Sequence, residues 1–115
     1  MIYNDLMTVP FLKGGRTLEG LDCYGFLIEC LRRDGKELKD IAATPDGDLA
    51  EYVSELNVRD IQEPHPGSCV QFAGKDGLHV GYMIDKRTCL HMTHSGVRIT
   101  PMLALKSPRY SEVIG

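Results

Sequence analysis

Cys23 stands where a thiol is most readily turned into a nucleophile. It follows Gly20-Leu21-Asp22 and opens Tyr24-Gly25-Phe26-Leu27, a Gly-rich approach that becomes an amphipathic helix at the cysteine. The first turn of a helix carries unpaired N–H groups and the positive end of the helix dipole, both of which favour negative charge. A cysteine so placed can have its pKa drawn from about 8.5 to well below 7. Asp22 fits the N-cap and is read as a cap rather than as an acid catalyst. A plainer reading competes. Cys23, Phe26, Leu27, Cys30 and Leu31 fall on one apolar helical stripe, and a free cysteine on such a stripe is commonly buried and inert. Partners elsewhere in the chain must decide.

Two histidines supply them. His79 opens His79-Val80-Gly81-Tyr82-Met83-Ile84, and His91 lies within Cys89-Leu90-His91-Met92-Thr93-His94. Both segments alternate as strands, and the Asp85-Lys86-Arg87 connection suits a hairpin. An odd-numbered loop puts both histidines on one face as diagonal neighbours, roughly 7–8 Å apart at the backbone. An even-numbered loop puts them on opposite faces. A thiol, a base within reach and a third polar group to hold the base make the constellation for covalent acyl transfer.

The elements that must position these residues follow from pattern. Residues 1–21 form a lead-in ending in a Gly-punctuated loop, Lys13-Gly14-Gly15-Arg16 through Gly20. The helix runs from about Asp22 to Arg33 and is stopped by Asp34-Gly35. A link containing Thr44-Pro45-Asp46-Gly47 leads to a second helix over Asp48–Leu56. After the turn Glu63-Pro64-His65-Pro66-Gly67 come β-like runs at 68–73, 78–84, 88–93, 96–99 and 110–114. Helices first and a meander of strands after predict one α+β domain over 1–115, with an antiparallel sheet.

Bulk composition removes several function classes. A net charge of −3 gives no electrostatic reason to expect nucleic acid, and no apolar run approaches the roughly 20 residues that cross a bilayer. Met1-Ile2-Tyr3-Asn4-Asp5 lacks the basic and apolar regions of a signal peptide. The four cysteines, Cys23, Cys30, Cys69 and Cys89, contain no Cys-x-x-Cys pair and fit no zinc-site spacing. Cys30, Cys69 and Cys89 read as core, and reduced thiols are the cytoplasmic default. Lys13 and Arg16 are candidates for substrate carboxylates, with plain solvation as the alternative. His65 reads as exposed, and His94 as cleft-lining or surface.

These blocks together resemble the NlpC-type papain-like cysteine peptidases of bacterial cell walls. Val9-Pro10-Phe11, Gly14-Gly15 and Gly20-Leu21-Asp22-Cys23-Tyr24-Gly25-Phe26 resemble that family's Pro-Tyr…Gly-Gly…Asp-Cys-Ser-Gly-Phe block. Pro66-Gly67-Ser68-Cys69-Val70-Gln71-Phe72 and His79-Val80-Gly81-Tyr82-Met83 are similar to two of its strands. Leu90-His91 with Ser95-Gly96-Val97 is similar to its histidine-bearing segment, and Ser111–Gly115 to its closing strand.

The resemblance implies a papain-like fold with Cys23 as nucleophile and oxyanion donor through its backbone N–H, His79 as general base and His91 as orienting residue. It implies hydrolysis of peptidoglycan stem peptides, usually at D-γ-glutamyl-diaminopimelate or -lysine, through a thioester, with no metal or organic cofactor. Two departures stand out. Phe11 occupies the place of a tyrosine whose hydroxyl helps at the oxyanion or substrate carbonyl, leaving Tyr3 and Tyr24 as substitute donors. Tyr24 replaces the common serine after the nucleophile, which, with the lead-in, is similar to the phage and prophage tail subgroup. That subgroup implies synthesis in a host cytoplasm, delivery to the wall within a tail, and other tail proteins as partners. The alternatives are a structural tail component of the same fold, an amidase or acyltransferase using the same thioester, and a redox or metal-binding thiol protein.

Overall fold

The computed structural model describes residues 3–40, 57–74 and 77–114. The chain enters through a 3-10 turn, Asn4–Thr8, and a two-stranded hairpin of β1 (Arg16–Thr17) and β2 (Gly20–Leu21). Helix α1 (Cys23–Arg33) comes next. The strands are β3 (Val58–Ile61), β4 (Cys69–Gly74), β5 (Gly77–Met83), β6 (Thr88–Thr93), β7 (Gly96–Pro101) and β8 (Lys106–Val113). A 3-10 turn, Met102–Ala104, separates β7 from β8.

Helix α1 begins and ends where its residues dictate. The Asp22 side chain accepts the Gly25 N–H at the N-cap, and Arg32 and Arg33 sit in the last turn, where cations suit the dipole. Glu29 braces that turn, with Oε2 at 2.7 Å from Arg32 and 2.8 Å from Arg33. Arg33 also reaches Asp5 at 2.6 Å, tying the helix to the entering turn. Gly35, at φ 79, then takes the chain out of the helix.

The six strands form one antiparallel sheet in the order β3-β8-β4-β5-β6-β7. Its helix-facing side carries Cys69, Val80, Tyr82, Leu90 and Met92, which pack with Tyr24, Phe26, Leu27, Cys30 and Leu31 of α1. Each fully buried large apolar side chain there contributes about 1.5–3 kcal/mol. A smaller cluster of Val70, Phe72, Met83, Cys89 and Tyr110 lies on the other side, against Ile61, Met102 and Leu105.

The α+β architecture matches the sequence expectation, with differences in detail. The expected helix over Asp48–Leu56 lies outside the described residues. The lead-in expected as loop contains the β1–β2 hairpin, and β3 was not foreseen. Nor is the sheet a simple meander, because the last strand inserts between β3 and β4. β8 also starts earlier than expected, at Lys106. Its first residues read poorly as strand because they include Pro108 and Ser107, the latter at φ 51, beside a register shift between Gln71 and Ala73.

Candidate active site

The hairpin and the entering segment set the position of Cys23. Phe11 bridges Leu21, and the Asp22 N–H reaches the Gly15 carbonyl at 3.4 Å. Gly25 makes this approach possible, since a Cβ there would lie 2.3 Å from the Gly15 oxygen. Asp22 Oδ1 accepts both the Gly25 N–H at 2.6 Å and Arg16 Nη1–H at 2.7 Å. Asp22 thus works as cap and as counter-ion to Arg16.

The Cys23 sulfur is half-buried and accepts a hydrogen bond from the backbone N–H of Val80, the residue after His79. Its pKa is raised, first by burial and then by the charge of Asp22, against the lowering pull of the Val80, Tyr24 and Cys23 N–H groups. The helix-start expectation of a ready thiolate is therefore corrected. Three N–H groups return less than burial and a neighbouring carboxylate take away. Burial and the Asp22 carboxylate thus favour the neutral thiol at Cys23.

The hairpin that carries both histidines has odd parity. Met83 and Cys89 are the last registered pair of β5 and β6, with five residues between them. His79 and His91 consequently share a face, the one turned away from α1. Both rings pack on Phe72, stacked with His79 at 5.9 Å and edge-on to His91 at 5.2 Å. The His79 ring lies over Gly74, where an added Cβ would come within 2.1 Å of it. His91 is 9% exposed, and its Nε2 lies 2.8 Å from Thr100 Oγ1. Burial, with His79 and Arg98 adding to it, pushes its pKa down to about 4, so the imidazole is neutral at pH 7.

Cys23 approaches the sheet at the opening half of β5. Among the described residues β5 and β6 register only at Tyr82–Leu90 and Met83–Cys89. The opening half of β5, with His79 and Val80, is therefore free of β6. Backbone N–H groups lie in the plane of a sheet, so a sulfur bonded to the Val80 N–H sits at the strand's edge rather than over one face. His79 is the adjacent residue on that edge. The arrangement brings the thiol to the strand that carries His79, and places His79 on the same sheet face as the neutral His91 imidazole.

Other candidates go elsewhere. The Tyr24 ring is 2% exposed and its hydroxyl donates to the Lys39 carbonyl, which removes it as a donor to substrate. Arg16 is committed to Asp22 and to Asp40, at 3.2 Å, with its guanidinium over the Tyr24 ring. It is an internal brace, not a free carboxylate binder. Phe11 packs its ring on His94 at 4.5 Å. Tyr3 is partly buried against the core. Sequence reasoning passed over Phe72, Gly74 and Thr100. The tight turn pairing Thr93 with Gly96 was the one available signal for Thr100, because it fixes the β6–β7 register.

A cysteine at a helix start, set against a histidine-bearing strand on a helix-and-sheet frame, defines the papain-like class. The chain belongs to the NlpC/P60 family, which it matches over residues 8–112. It is 35% identical over 103 residues to the murein DD-endopeptidase MepS/murein LD-carboxypeptidase of Escherichia coli K12, covering 87% of this chain and 51% of that protein. The Escherichia coli O157:H7 protein of the same name matches equally. The chain spans about half the length of these relatives. Among solved structures, the NlpC/p60 domain of the peptidoglycan hydrolase SagA superposes with a TM-score of 0.63, covering 97% of this chain and 92% of that one at 16% identity. The last likeness bears on the fold alone.

Proposed function

We propose that this domain is a cysteine peptidase acting on peptidoglycan stem peptides through a thioester on Cys23. The observation that carries the reading is the Cys23 sulfur bonded to the Val80 N–H, one residue from His79 and on the same strand. In this mechanism His79 takes the Cys23 proton as the sulfur attacks the scissile carbonyl. The backbone N–H of Cys23, at the helix start, stabilises the oxyanion. His79 then passes its proton to the departing amine, and later activates the water that cleaves the thioester. His91 orients His79.

The bond proposed is the D-γ-glutamyl linkage to diaminopimelate or lysine. A second reading, cleavage as a murein DD-endopeptidase, is favoured by the name of the 35%-identical relative. Delivery to the wall within a phage tail, beside other tail proteins, remains part of the proposal and is motivated by Phe11, Tyr24 and the lead-in.

Mass spectrometry of defined muropeptides incubated with the wild-type chain and with Cys23→Ala tests the reading. Stem cleavage after D-glutamate supports the first bond, and conversion of crosslinked dimers to monomers supports the second. Acyl transfer to an added amine, without net hydrolysis, would move the site to the amidase or acyltransferase alternative. No change with wild type would sink the peptidase reading and favour a structural tail component.

A further inference from the structure

His91 is held by more than its own strand. Thr100 stands on β7, two residues beyond Arg98, the register partner of His91. Strand alternation therefore puts Thr100 on the His91 face, and its Oγ1 lies 2.8 Å from Nε2. A neutral imidazole has one N–H and one lone pair, and a buried one needs a partner for each. With Nε2 engaged by Thr100, Nδ1 is the nitrogen left for His79.

We propose that Thr100 is a positioning residue whose hydroxyl oxygen accepts the Nε2–H of His91, leaving the Nδ1 lone pair for His79. The proposal rests on the Cys23–His79–His91 reading above. On taking the thiol proton, His79 becomes an imidazolium with an N–H at each nitrogen. One of these faces the reacting sulfur and the departing amine, and the other needs an acceptor. A lone pair on His91 stabilises that cation, whereas an N–H in its place opposes it. Thr100 selects between the two tautomers and moves no proton itself. Among the described residues, the titratable and charged groups on this face are His79 on β5, Arg98 on β7, the Cys89 thiol on β6 and Tyr110 on β8. Arg98 and a charged His79 both disfavour a second proton on His91, which keeps the lone pair available.

Nitrogen-15 NMR of histidine-labelled wild-type protein at pH 7 tests the assignment without any substrate. The expected result is the Nε2–H tautomer at His91, and an Nδ1–H tautomer would overturn the proposal. Thr100→Val removes the hydroxyl at nearly constant shape and should mix the tautomers. It should also lower kcat about tenfold with KM little changed, the size expected for one lost hydrogen bond in the transition state. Thr100→Ser should restore both readouts. A Val variant with wild-type tautomer and kcat would defeat the proposal, as would a Ser variant no better than Val, because shape would then matter and the hydroxyl would not. If the Val variant does not fold, the wild-type spectrum still decides. If wild type cleaves no muropeptide, the peptidase reading fails while the tautomer still tests Thr100.

Discussion

Toward α1 the sheet presents Val80, Tyr82, Leu90 and Met92, all buried beneath the helix. The residues alternating with them on β5 and β6 face the other way and include His79 and His91. The two faces are cut from the same strands, one residue apart. The first is closed by a long apolar helix stripe and gains free energy by excluding water. The second has a small apolar cluster and keeps imidazoles packed on Phe72. The difference teaches how one set of strands can carry both a packed core and, on the opposite side, imidazoles. The packed core takes one parity and the histidines of the proposed site the other, and a register slip by one residue would exchange them. Cys23 belongs to the helix side yet reaches the histidine's strand where β5 is unpaired from β6.

The comparison breaks most sharply at the nucleophile. Cys23→Ala should abolish muropeptide hydrolysis, a loss of about 10⁴-fold or more, with thermal unfolding almost unchanged. Residual turnover above one percent would mean that chemistry does not run through this sulfur. Leu90→Ala attacks the opposite face. It should cost about 2–5 kcal/mol in denaturant unfolding, while the folded fraction keeps its kcat. A kcat loss larger than the folded fraction explains would show that the faces are not separable.

Gly74→Ala sharpens the comparison on the histidine side. An added Cβ would meet the His79 ring at 2.1 Å, so the ring must move, and kcat should fall on the order of 10- to 100-fold with Tm nearly held. Equal kcat would show that the ring has other productive positions. The pH response separates the faces next. His91 has a folded pKa lowered to about 4 from 6.5. The unfolded chain therefore binds the proton first as pH drops, and the stability contributed by His91 is full above pH 6.5 and lost as pH falls through about 4. His91→Gln should flatten that window by on the order of 2 kcal/mol relative to wild type. Parallel wild-type and variant curves would remove His91 as the cause.

The smallest effect is expected at the cap. Asp22→Asn keeps an oxygen for the Gly25 N–H but deletes the charge that raises the Cys23 pKa. Iodoacetamide alkylation of Cys23 at pH 7.5 should quicken about two- to fivefold. An unchanged rate would leave burial alone responsible.

Much of this architecture was legible without coordinates. Asp22 as cap, α1 ending at Asp34-Gly35, and the strands bearing His79 and His91 all follow from spacing, because caps, stops and alternation are local effects. The shared face of the histidines followed only conditionally, since it needed the parity of a loop whose ends pattern does not mark. The NlpC/P60 membership was likewise carried by contiguous blocks.

Tertiary structure decided what depends on through-space neighbours. β8 slots between β3 and β4 because of pairing energies between distant segments, which no local pattern records. Arg16 and Tyr24 look available in the chain, but Asp22, Asp40 and the Lys39 carbonyl claim them once folded. The Cys23 thiol illustrates the physical reason most directly. Helix position and dipole are properties of sequence and argue for a thiolate, whereas desolvation is a property of packing and here outweighs them.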